Sequence, residues 1–157
     1  MRWIRIGLYV LLILVLQTVV FARLNFWGAV PDLVLVSVII FAILDKNQKS
    51  TLFAAGSSFL QDILGYGIYI NTITKVLVSS LTSIIKESFI GDEYSLAALL
   101  VAVFTPLTLT VEGLILYLFF DKQFEAYAFV ITVLITTVYN LIMVPVFLPV
   151  IRKLSRD

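Results

Sequence analysis

The chain contains no cysteine and no histidine among its 157 residues. Disulfides, Cys/His zinc sites, iron–sulfur clusters and axial haem histidines are excluded on that ground, as are nucleophile–histidine dyads. No cofactor is expected. Charge is scarce too. Lys, Arg, Asp and Glu make up 13% of the sequence, against about 25% in an ordinary soluble domain. The net charge is +1 and no basic run exceeds Arg152-Lys153, so nucleic-acid binding is not expected.

What fills the chain instead is hydrocarbon. Hydrophobic residues make up 61% and the mean hydropathy is +1.08. Lipid is the natural solvent for such a sequence, and at this length no separate soluble catalytic domain is expected. A single membrane domain covering residues 1–157 is therefore expected. Arg2 and Arg5 precede an apolar run in the manner of a signal peptide, but no small-x-small cleavage site follows. The run is read as a retained helix.

A spanning helix takes about 20 mostly apolar residues. The hydropathy pattern predicts an all-α integral membrane protein with six transmembrane helices at about 4–22, 27–44, 50–64, 68–85, 94–120 and 124–151. Eight of the eleven Lys and Arg residues then fall on one side: Arg2, Arg5, Lys46, Lys49, Lys86, Arg152, Lys153 and Arg156. Arg23 and Lys122 fall on the other, and Lys75 lies within a span. The positive-inside rule places both termini in the cytoplasm.

Polar residues inside such spans are costly and mark internal pairs, cavities or functional sites. Residues 56–75, GSSFLQDILGYGIYINTITK, hold Gln61, Asp62, Asn71 and Lys75 around Gly65 and Gly67. With the turn centred near residue 68, Asp62 and Lys75 would lie at a common depth, roughly 10 Å from the turn at 1.5 Å per residue. A hairpin ion pair between them is expected. In that case Asp62→Ala alone destabilises more than the double Asp62→Ala/Lys75→Ala change, because it strands a buried cation.

Pro31-Asp32 reads as a helix start, with Pro31 in the first turn and Asp32 facing the positive helix end. Glu112 falls in the same half of the predicted bundle as Asp32, Asp62 and Lys75, suggesting a hydrated outward pocket or a docking site. Pro106 is expected to kink the fifth span, and Pro145 and Pro149 the sixth. Thr105, Thr108 and Thr110 are candidates to satisfy the freed backbone. Asn140, near the middle of the sixth span, suits an interhelical hydrogen bond. Asp62 and Glu112 could in principle form an acid/base pair, but no other catalytic constellation accompanies them.

On three sets of residues the chain resembles the MreD family of rod shape-determining membrane proteins. These are Pro31-Asp32 with the apolar run behind it, residues 56–75 with Gln61-Asp62 and Asn71, and Tyr139-Asn140 followed by Pro145 and Arg152-Lys153. Family members often carry a further glycine where this chain has Tyr69-Ile70, and a small residue where it has Val78. The resemblance implies a six-helix fold similar to the substrate-binding subunits of energy-coupling-factor transporters. It implies a non-enzymatic role in cell shape and lateral peptidoglycan synthesis, in the bacterial cytoplasmic membrane. The implied partners are an MreC-like single-span protein and, with it, the elongation machinery of MreB, RodA and a penicillin-binding transpeptidase. Pro31, Asp32, Asp62, Gly65 and Asn140 match motif positions, with structural or docking roles. A substrate-binding subunit of a vitamin transporter is the alternative. Those subunits usually carry an Ala-xxx-Ala motif in the first helix, and here no alanine precedes Ala22.

Overall fold

The computed structural model describes residues 2–65, 68–120 and 125–155. Six helices follow in order: α1 (Arg2–Val15), α2 (Leu33–Leu44), α3 (Asn47–Leu64), α4 (Ile70–Ser88), α5 (Glu93–Phe120) and α6 (Ala126–Ser155). A π-helical turn, Leu16–Phe21, extends α1. The all-α expectation holds. Three of these segments are long and apolar enough to cross a membrane, namely Trp3–Phe21, Glu93–Phe120 and Ala126–Ser155. The chain has the character of a multi-pass membrane protein.

The bundle is organised around α2, which touches each of the other five helices. Residues 33–42 of α2 are all buried, with the core residues Leu33, Val36, Ile39 and Ile40 at 0–1% exposure on every face. A helix that is apolar all round is stable only when enclosed. At 12 residues and 1.5 Å per residue it is about 18 Å long, shorter than a hydrocarbon layer of about 30 Å, so a crossing by this segment uses the non-helical residues 26–32 ahead of it as well. The outer helices supply the enclosure. α1 turns Ile6, Tyr9, Val10 and Ile13 inward at helical spacing, and the Tyr9 hydroxyl meets Ser37 Oγ at 2.7 Å. Phe53 of α3 stacks on Phe41 with ring centroids 4.4 Å apart.

The second predicted span, 27–44, is corrected. Its first part is not helical, and α2 begins only at Leu33. Trp27 and Gly28 have φ of 51° and 81°, and Ala29 N–H donates to the Phe26 carbonyl at 2.9 Å. Two successive positive φ values make this a type I′ turn, which glycine tolerates and which stops a helix. Asn25 Oδ1 fastens it by accepting from Gly28 N–H at 2.8 Å. Pro31 is corrected as well: it is buried, and it stands before the N-cap Asp32 rather than in the first turn.

The remaining helices start within a few residues of their predicted limits, and α3 and α5 end where predicted, at Leu64 and Phe120. Residue 124, the predicted start of the sixth span, lies outside the described residues, as does Gly67. Gly65 is the C-cap of α3, where its N–H donates to the Gln61 carbonyl at 2.9 Å. Pro106 lies within α5, and Pro145 and Pro149 within α6, and each helix runs through without a break. The threonines near Pro106 do not reach the Ala102 carbonyl that the proline frees. Thr108 donates to the carbonyls of Phe104 and Thr105, and Thr110 to that of Pro106.

Candidate functional site

The polar residues of the interior converge where α2 begins and the α3–α4 turn lies. Lys75 is on the inward face of α4, in register with Thr74, Val78 and Ser79, and is 0% exposed. Its ammonium has three N–H donors. They go to Asp32 Oδ2 at 2.8 Å, Gln61 Oε1 at 2.5 Å and Asn71 Oδ1 at 2.8 Å. A buried cation is tolerable when paired and fully hydrogen-bonded, and this one is both.

Lys75 therefore pairs with Asp32, and the expected Asp62–Lys75 pair is corrected. The reason is depth. α3 ends at Leu64 and α4 begins at Ile70, so Asp62 lies about 3 Å from its helix end and Lys75 about 7 Å from its own. Asp62 instead faces the first turn of α4. Its Oδ1 accepts from Asn71 N–H at 3.3 Å and Asn71 Nδ2 at 2.9 Å. Its Oδ2 accepts from Thr72 N–H at 2.8 Å and the Thr72 hydroxyl at 2.6 Å. The N-cap position of α4, Tyr69, makes no side-chain cap of its own. A carboxylate from the neighbouring helix satisfies the orphan donors in its place and sits at the positive end of the dipole.

Asp32 does two jobs with two oxygens. While Oδ2 meets Lys75, Oδ1 accepts from Leu35 N–H at 3.0 Å and so caps α2. Its backbone N–H donates to Asn140 Oδ1 at 2.9 Å, and Asn140 Nδ2 donates to Thr105 Oγ1 at 3.1 Å. Asn140 is 0% exposed and ties α5 and α6 to the start of α2. That is the interhelical use expected of it. Gln17, from the π-helical turn, accepts from Val34 N–H at 3.3 Å.

Glu112 on α5 accepts from the Thr74 hydroxyl at 2.9 Å. It lines a cavity of about 160 Å³ together with Asp62, Asn71, Ile68, Ile70 and Leu116. The structure thus brings Asp32, Asp62, Lys75, Glu112 and Asn140 into one region, and places Gly65 at its edge. Pro31 is near by sequence and contributes no side-chain bond. Among the described residues no group of three acidic, His or Cys side chains is placed to hold a metal ion.

Two participants escaped the sequence reading. Gln17 is a lone amide in an apolar run, which is the signal that could have found it. Lys86 counted only as a basic residue near a helix end, yet its Nζ donates to the carbonyls of Ala42 at 2.7 Å and Asp45 at 2.5 Å. It closes the far end of α2. No family model, curated protein or solved structure matches the chain.

Proposed function

We propose that this chain is a six-span, non-enzymatic membrane scaffold of the MreD type. In this reading it lies in the bacterial cytoplasmic membrane with both termini inside and holds the membrane span of an MreC-like partner within the cell-elongation machinery. The observation that carries the proposal is how the interior charges are spent. Asp62 and Lys75 are saturated, and Asp32 has a partner on each oxygen, through contacts that fix helix ends, which suits a rigid platform.

Six spans are supported by the outward faces of the two less apolar helices. α3 exposes Leu52, Phe59, Leu60 and Ile63, and α4 exposes Ile73, Leu77, Leu81 and Ile84. Such stripes suit contact with lipid tails, while the polar faces of both helices turn inward. A common sidedness for the basic residues is supported by Lys46, Lys86 and Ser155, which line one groove at the end of the bundle away from Asp32. The exposed Trp27, at 80%, suits the opposite membrane interface, where tryptophan is enriched.

Co-expression with an MreC-like protein in mild detergent tests the proposal. Co-purification is the expected result, and a chain that stays alone contradicts it. Depletion in a rod-shaped host should give round cells. The cavity beside Glu112 favours a second reading, the substrate-binding subunit of a vitamin transporter, for which mass spectrometry would find a bound vitamin.

A further inference from the structure

The four interior charges are not equally satisfied. Lys75 has filled its three donors, and Asp32 divides its oxygens between Lys75 and the α2 cap. Asp62 accepts four hydrogen bonds, which is about the capacity of a carboxylate. Glu112 has only the Thr74 hydroxyl on Oε1. Among the described residues no second donor and no cation reaches its other oxygen. That carboxylate borders the cavity of about 160 Å³ that residues at the end of α3 and the start of α4 form with α5, a space with room for several waters or a small ligand.

The chemistry of the lining narrows the ligand. An anion is repelled by Glu112. A calcium ion needs about six or more oxygens and a magnesium ion near-ideal octahedral geometry; Asp62 and Asn71 have already committed theirs, which leaves a single carboxylate to hold either ion. A neutral ligand adds no charge opposite Glu112, whose cationic neighbour Lys75 is already paired with Asp32. One strong donor is wanted at one oxygen, waters in the cavity can take the other two N–H groups of an ammonium, and beside it Ile68, Ile70 and Leu116 offer an apolar wall. We propose that this cavity binds a short primary alkylammonium group, with Glu112 as its counter-ion and the alkyl chain against the apolar wall. A free aliphatic amine and the lysine side chain of a partner protein share that chemistry.

The full chain in mild detergent is heated with n-butylammonium, n-butanol or sodium at matched ionic strength. The midpoint should rise saturably, by a few degrees, with n-butylammonium alone. Glu112→Gln should abolish the rise while leaving the fold intact, since the amide oxygen still accepts from Thr74 and an unpaired charge is gone. Leu116→Trp keeps the charge but fills the cavity, and should abolish the rise as well. Equal shifts with n-butanol, shifts that persist in both variants, or no shift with any probe would each overturn the assignment. A complex with a co-purified partner distinguishes the sources. Loss of the response there assigns the amine to a partner lysine, and an unchanged response assigns it to a free amine.

Discussion

The two ends of α2 are held by two lysines of the same neighbouring helix, in opposite ways. At the amino end Lys75 acts through Asp32, which caps the helix and carries the ion pair. At the carboxyl end Lys86 donates directly to the Ala42 and Asp45 carbonyls. The helix dipole explains the difference. A cation cannot approach the positive end without an anion between them, whereas the negative end accepts it directly. The spacing fits as well. Eleven residues separate the lysines along α4, about 16 Å of rise against about 18 Å for α2. α4 thus works as a clamp that sets where the central helix begins and ends.

The ends also differ in exposure, and that difference ranks the expected effects. Lys75 is fully buried. Asp32→Ala strands its charge and removes the α2 cap, so it should cost about 3–5 kcal/mol in unfolding measurements in detergent, the usual loss when one partner of a buried pair is removed. Asp62→Ala should cost less, about 2–3 kcal/mol, because it removes charge-assisted bonds to the first turn of α4 but strands no cation. Recovery of that loss by adding Lys75→Ala would contradict the assignment of Lys75 to Asp32. Lys86→Met should cost about 1–2 kcal/mol, since the half-buried carboxyl end of α2 can still draw on water. A loss at Lys86 equal to that at Asp32 would mean that burial is not what separates the two ends.

The smallest effect belongs to an exposed counterpart of Asp32. Asp92 caps α5, accepting from the Ser95 hydroxyl at 2.6 Å and Ser95 N–H at 3.0 Å. Those bonds hold its carboxyl below the usual carboxylate range. A carboxylate whose pKa is depressed on folding contributes stability above its unfolded pKa and loses it as pH falls through the folded value. Asp92→Ala should therefore shift the midpoint slightly at neutral pH and not at all in strong acid. A difference that survives in acid would show that the carboxylate charge is not its source.

The helix start behind Asp32 and the interhelical role of Asn140 were legible in the sequence, because each is a polar group in an apolar run with a local reason to be there. The turn at Phe26–Ala29 was not. Residues 27–44 are apolar almost throughout, and hydropathy does not distinguish an apolar turn from an apolar helix; only Asn25 and Gly28 mark it. The candidate site was half legible. Asp62, Lys75 and Glu112 stand out as charges in spans, but which of them meet depends on where the α3–α4 turn ends. A shift of the α4 start to Ile70 was enough to exchange the partner of Lys75. The Thr74–Glu112 contact depends on helix faces that only tertiary packing fixes.

Lys75 holds the start of α2 through Asp32. A double-mutant cycle with Asp32→Ala, Lys75→Met and their combination, read by unfolding in detergent, tests it most directly. The double variant should be more stable than Asp32→Ala alone, with a coupling of about 2–3 kcal/mol. Losses that add within about 0.5 kcal/mol would contradict it.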